Sequence, residues 1–297
     1  MASVRIDNAM SVDVEDYFHA HALSSSFPRA QWDECECRVE RNIDRILQLF
    51  SDANTVATFF TLGWIGERYP QLVRRIVANG HELASHGYDH TRADRQEPAA
   101  FRDDVRKAKL ILENAACCPV VGYRAASFSI GPSNQWAFNI LESEGYRYSS
   151  SIYPIRHDHY GTVEAPRFPF YPSAGSLLEI PIATVHRFGR RIPCGGGGYF
   201  RLVPYAVSRA SLRYVNLVDN RSCVFYFHPW ELDPSQPQAT GLSWRGRVRH
   251  YLNLGRMEDR LSALLHDFSW TRMDYLFLNQ QERSGVVRPH QRLKGFS

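Results

Sequence analysis

The chain has 297 residues, 44% hydrophobic, 13% aromatic and 22% charged, enough apolar material for one large core or two modest ones. A formal net charge of +4, with no basic cluster interleaved with aromatics, argues against a nucleic-acid partner. No run approaches the ~18 apolar residues that a membrane-spanning helix needs. MASVRIDNAM carries no apolar leader segment, and none of the cysteines (Cys35, Cys37, Cys117, Cys118, Cys194, Cys223) forms a C-x-x-C pair. Reduced thiols in a cytoplasm are therefore expected.

A β-like opening (Ile6, Met10, Val12, Val14) leads into Ser11-Val12-Asp13-Val14-Glu15-Asp16-Tyr17, where three carboxylates fall within four positions. On a strand, Asp13 and Glu15 share a face, and two carboxylates projecting together call for a cation or for separate roles as base and ligand. Residues 18–37 read as an irregular loop. Val39, Ile43, Ile46, Leu47 and Phe50 keep a helical period. Thr55–Phe60 is a β-branched and aromatic strand, Leu72–Val77 a helix ended by Asn79-Gly80, and His81–Ala84 a short strand. Pro98 opens a helix through Leu112, Val120–Tyr123 is a strand, Pro132 starts a helix ended by Gly145, and residues 146–152 are extended.

Residues 154–172 are loop-like. Leu177–Ile180 is a strand, Gly195–Gly198 a flexible turn, 204–218 a helix, Cys223–Phe227 a strand, 256–268 a helix and Trp270-Thr271 a last short strand. The domain is expected to span 1–278, with 279–297 a polar, basic, disordered tail. Alternating strands and helices indicate a parallel sheet, open or closed into a barrel, with chemistry at the carboxyl ends of the strands. Asp13, His86, Arg124 and His228 each fall where a predicted strand ends.

His86-Gly87-Tyr88-Asp89-His90 is an H-x-x-x-H pair. With one carboxylate from the first strand it makes a 2-His-1-carboxylate set with open positions, which is a catalytic rather than a structural ligand count. Arg124, buried at a strand end, needs a carboxylate partner, and Asp13 is the candidate. His228, in Phe227-His228-Pro229-Trp230-Glu231, titrates in the range that proton transfer uses. Tyr199, Phe200, Trp230 and Trp32 are candidates for stacking on sugar faces, although each alone is more often core.

Taken in order, these segments resemble the NodB-homology polysaccharide deacetylases (carbohydrate esterase family 4), closest to the branch associated with PEP-CTERM/exosortase exopolysaccharide loci. The resemblance implies an α/β fold, a distorted (β/α)7 barrel in one domain. It also implies a divalent metal, zinc first with cobalt, nickel or manganese as alternatives, and hydrolysis of N-acetyl groups on amino sugars of an exopolysaccharide or its precursor. By position, Asp13 matches the general base, His86 and His90 the metal histidines, Arg124 the arginine that holds the base, and His228 the general acid. Glu15 is the first choice for the metal carboxylate and Asp16 the second. Water activated at the metal would attack the amide, with Asp13 as base and His228 as acid. Two departures stand out: Ala126 where the family has proline, expected to loosen a loop, and Ser149 where it has an aspartate that would support His228. The rival readings are an allantoinase-like hydrolase of a small cyclic amide on the same scaffold, and a barrel that binds glycan without turnover.

Overall fold

The computed structural model describes residues 6–156, 161–173, 175–187 and 189–279. The basic stretch from 280 onward lies outside them. Apolar runs and amphipathic runs alternate, and they fold accordingly. The N-terminal part gives β1 (Asp7–Val14), α1 (Val39–Asp52), β2 (Thr58–Thr61), α2 (Gly63–Arg68), α3 (Pro70–Ala78), β3 (Glu82–Ser85), α4 (Pro98–Ala116), β4 (Gly122–Tyr123), α5 (Trp136–Ser143) and β5 (Tyr148–Ser149). The C-terminal part gives β6 (Leu178–Glu179), a hairpin of β7 (Thr184–Arg187) and β8 (Arg190–Pro193), α6 (Gly197–Leu202), α7 (Tyr205–Leu217), β9 (Val224–Phe227), α8 (Trp244–Tyr251), α9 (Met257–Asp267) and β10 (Ser269–Thr271).

β1 to β6 lie side by side in chain order, all parallel, so this is one domain built as a curled half-barrel. β1 is the axis of the sheet. β9 pairs with residues 9–12 on one edge, while β10 (at 7–9) and β2 (at 11–14) pair with its two ends on the other. Strands paired on both edges and covered on both faces have no side turned to solvent, and β1, β2, β3 and β9 are buried at every position but Asp7, polar Asn8, Ser11, Asp13, Thr58 and Glu82 included.

Several expectations needed correction. α2, α6, α8 and the β7–β8 hairpin had no clear apolar period, and the 18–37 loop contains three short 3₁₀ turns. Gly195–Gly198 is not a flexible turn. It carries the sheet across to β9: Ala183 N–H donates to Val224 O (3.1 Å) and Tyr226 N–H to Gly195 O (2.8 Å). A Cβ on Gly195 would collide with the Val224 carbonyl, so glycine is there for close backbone approach. The loop at Ala126 is not loose either: the Ser129 hydroxyl bonds Ala126 O (2.7 Å), and Ser151 Oγ receives Ala125 N–H (2.9 Å).

Candidate active site

The carboxyl ends of β1, β3, β4 and β9 share one rim, because parallel strands in register end together. β1 delivers Asp13 and, one residue past its end, Glu15. β3 runs into His86, whose N–H continues the ladder to Thr61 O (2.9 Å). The loop to His90 is held by the start of α2: Gly63 and Trp64 N–H donate to Gly87 and Tyr88 O (both 2.8 Å). Gly87 (φ +75°) and His90 (φ 61°) both take left-handed backbone, the second uncommon for a side chain of that size.

Ligand atoms of Glu15, His86 and His90 all lie within 4.8 Å of one another. His86 Nδ1–H donates to Arg124 O (2.8 Å), which leaves Nε2 with its lone pair toward the cluster. His90 Nε2 is 3.3 Å from Glu15 Oε2, but burial pushes the His90 pKa down to about 4 in spite of Glu15, so its ring is neutral. Glu15 is held well below the ordinary carboxylate range: burial opposes this, and the surrounding histidines, with a hydrogen bond from His228, outweigh it. Its Oε2 is buried with no hydrogen-bond donor among the described residues. A charged carboxylate oxygen left orphaned between two imidazoles, one neutral by burial and the other with its tautomer set for ligation, fits a divalent metal.

Asp16, the second choice for that carboxylate, is committed elsewhere. Oδ1 accepts from Tyr17 N–H (2.8 Å), and Oδ2 accepts from Arg38 N–H and from Val39 N–H (2.8 Å). It caps α1 from a distance, satisfying orphan amides at a helix start.

Asp13 sits beside the metal cluster in a buried ion pair with Arg124, Nη1 to Oδ1 2.5 Å. Arg124 is completely enclosed: it also donates to Ser11 Oγ (3.0 Å), Ser150 O (3.1 Å) and Ser150 Oγ (3.0 Å), and lies 4.0 Å from the Phe60 ring centroid. With its donors engaged and its charge paired, the guanidinium fixes Asp13 in one orientation.

His228 Nε2 lies 3.0 Å from Glu15 Oε1, and its Nδ1–H donates to Glu231 Oε1 (2.9 Å). Glu231 Oε2 in turn accepts from Arg201 Nε (2.6 Å), and both partners are buried. Burial alone would lower the His228 pKa, but Glu15 and Glu231 lift it to about 10; Glu231, with Arg201 opposing its own burial, falls to about 2. Ser149 plays no part here. It bonds Ser151 Oγ (2.8 Å) in β5, and the carboxylate supporting His228 is Glu231, three residues on. Sequence reasoning missed Glu231 and Arg201. The signal was available in Glu231 itself, an acid in an apolar stretch at i+3 from the histidine; in the fold, a Cβ on Gly197 would run into the Glu231 carboxylate.

The expected sugar platforms do not hold up as such. Phe200 is core, packed edge-on against Phe225 and Tyr205. Trp230 has His228 stacked on one side (4.9 Å, 18°) and His250 also stacked on it (4.3 Å, 15°), so it has little face to offer and braces the acid instead. Trp32 is buried against Phe18, His19 and Trp64. Tyr199 is half-buried against the cluster around Ile182 and Tyr226. An unforeseen donor lies nearby. His19 Nδ1 accepts Asp16 N–H (2.9 Å), so the proton sits on Nε2, which is buried and without a partner among the described residues. Burial lowers the His19 pKa to about 3, so its ring is neutral, and Glu15, His90 and Arg29 lie within electrostatic reach.

Residues 31–149 match the family model described as polysaccharide deacetylase, and residues 150–278 match one described as a domain of unknown function (DUF3473). The 31–149 segment belongs to the polysaccharide deacetylase family. The sheet crosses the boundary between the matches, since β5 pairs with β6. The chain is 38% identical over 74 residues to a chitooligosaccharide deacetylase of Bradyrhizobium sp. (strain ANU 289), 25% of this chain and 33% of that one. It is 33% identical over 72 residues to a peptidoglycan-N-acetylglucosamine deacetylase of Bacillus cereus, 24% of this chain and 26% of that one. The chain thus spans about a third or less of these curated relatives. A polysaccharide deacetylase homologue from Mycobacterium smegmatis superposes with TM-score 0.60 at 18% identity, covering 98% of this chain and 96% of its own. Puue allantoinase gives 0.62 at 16% identity, covering 96% and 93%. At these identities the likeness is one of fold, and the fold is common to the deacetylase and the allantoinase.

Proposed function

We propose that the protein hydrolyses N-acetyl groups on amino sugars of a bacterial exopolysaccharide or its precursor, with zinc as the metal, in the cytoplasm. The observation that carries the reading is the convergence on one rim of a Glu15–His86–His90 cluster, an Arg-fixed Asp13 and a carboxylate-held His228. The names of the relatives favour an acetylated glucosamine-type substrate.

Glu15, His86 and His90 would hold the metal, which when bound polarises an acyl oxygen and makes water more acidic. Asp13, held by Arg124, takes the proton from the attacking water. His228 donates its proton to the departing amine nitrogen as the C–N bond breaks, leaving acetate and a free amine. Glu231 keeps Nδ1–H engaged, so Nε2 is the nitrogen that faces the reacting groups. The His19 Nε2–H offers one further donor for a substrate oxygen.

The test is acetate release by the zinc-loaded protein across chitin-type, mannosaminyl and galactosaminyl oligomers, with allantoin in the same panel. At least one glycan should release acetate, and Asp13→Asn should lower that rate by roughly 10²–10⁴. Turnover of allantoin with none of the glycans would replace this reading with the small-amide one.

A further inference from the structure

Beyond the His228 rim, α8 presents an arrangement that the site does not explain. Its buried side is His250, stacked on Trp230. At about 100° per residue, Trp244, Val248 and Leu252 fall on one outward stripe, and they are 71%, 43% and 41% exposed. Arg247 lies on one side of that stripe, Arg245 and Arg249 on the other, all exposed.

Residues 234–257 contain no Asp or Glu. Among the described residues no carboxylate pairs with Arg245, Arg247, Arg249 or Arg256. Arg247 reaches only the Gln238 amide oxygen (3.2 Å), and Arg245 lies 5.5 Å from the Trp244 ring centroid. An exposed apolar line bordered by unneutralised arginines suits one environment: the apolar residues enter the headgroup–acyl boundary while the guanidinium groups meet phosphates. A sugar polymer would use Trp244 but would gain nothing from Val248 and Leu252, which offer no hydrogen bonds.

We infer that α8 is a docking helix that seats this end of the barrel on an anionic lipid bilayer. The helix is tied to the catalytic rim by one side chain. Arg201, bonded to Glu231, also donates to the carbonyls of Arg249 (3.3 Å), His250 (3.1 Å) and Leu252 (2.7 Å). Docking therefore places His228 about one helix diameter, ~10 Å, from the lipid surface. This holds whether or not the site deacetylates sugars.

Co-sedimentation of the full chain with vesicles tests it, using phosphatidylcholine alone and phosphatidylcholine mixed with phosphatidylglycerol. Binding to the anionic vesicles should exceed binding to the neutral ones about tenfold or more and fall with added salt. Two surface variants, Trp244→Ser/Val248→Ser and Arg245→Glu/Arg247→Glu/Arg249→Glu, should each lose that binding with an unchanged thermal midpoint. Equal sedimentation with both vesicle types, or anionic binding untouched by both variants, overturns the proposal. So does Trp244-dependent binding to an anionic polysaccharide with none to vesicles.

Discussion

The two flanks of the site are held by different physics. On the ligand flank, burial keeps His90 neutral and a backbone carbonyl fixes the His86 tautomer, while Glu15 keeps one oxygen without a donor. That flank is built around something missing from the protein's own hydrogen bonding. On the acid flank the charges are closed: Arg201, Glu231 and His228 compensate one another's charges in sequence, with Trp230 stacked against the imidazole. The difference teaches that buried charge can serve two ends. Left unsatisfied it makes a receptor for a cation, and closed into a network it fixes the state of a proton donor.

The contrast can be broken in graded steps. Glu15→Ala should abolish activity and metal retention together, measured by kcat and by metal content after dialysis; activity with bound metal would mean that the ligand flank lies elsewhere. Glu231→Gln should lower kcat by roughly 10–100-fold with metal content unchanged, since it acts through His228 rather than on the ligands. If metal is lost as well, the flanks are not separate. Gly197→Ala should mimic Glu231→Gln in kcat by pushing the carboxylate off its partners, and wild-type turnover would show that the close approach does not matter.

Asp16→Ala should leave metal content and kcat near wild type while costing about 1–3 kcal/mol in urea denaturation, because it removes the acceptor for the Tyr17, Arg38 and Val39 amides at a helix start. Loss of metal instead would restore Asp16 as a ligand. The smallest effect belongs to Glu82, far from both flanks, where Thr58, Tyr148 and the Asp274 amide surround a buried carboxyl. Burial, with Asp274 adding, raises it to about 8. A carboxyl whose native pKa lies above its unfolded value binds more protons when folded. Its contribution is therefore largest below the unfolded pKa and is lost as pH rises toward 8. Glu82→Gln should flatten the decline in urea midpoint between pH 5 and 8, and an unchanged slope would count against that protonation.

Much of this was legible in the chain. β2, β9, α1, α4 and α9 follow from apolar period, and Asp13, His86, Arg124 and His228 all mark strand ends that meet on one rim. What escaped was set by tertiary context. α6 begins in a glycine run whose purpose, close passage beside β9 and Glu231, exists only in three dimensions. α8 has its apolar residues on the outward side, so periodicity gave no core face to read. Phe200 and Trp230 looked like sugar platforms because aromatic type says nothing about which faces are already covered. Asp16 could not be told from Glu15 by spacing; what separates them is the arrival of the α1 amides 22 and 23 residues later.

The most direct measurement is acetate release from N-acetylhexosamine oligomers by protein stripped with chelator and then reloaded with zinc, alongside His86→Ala and His90→Ala treated identically. Acetate should appear only after reloading and only in the wild-type chain. Release that survives stripping, or that persists in both histidine variants, would contradict a deacetylase centred on Glu15, His86 and His90.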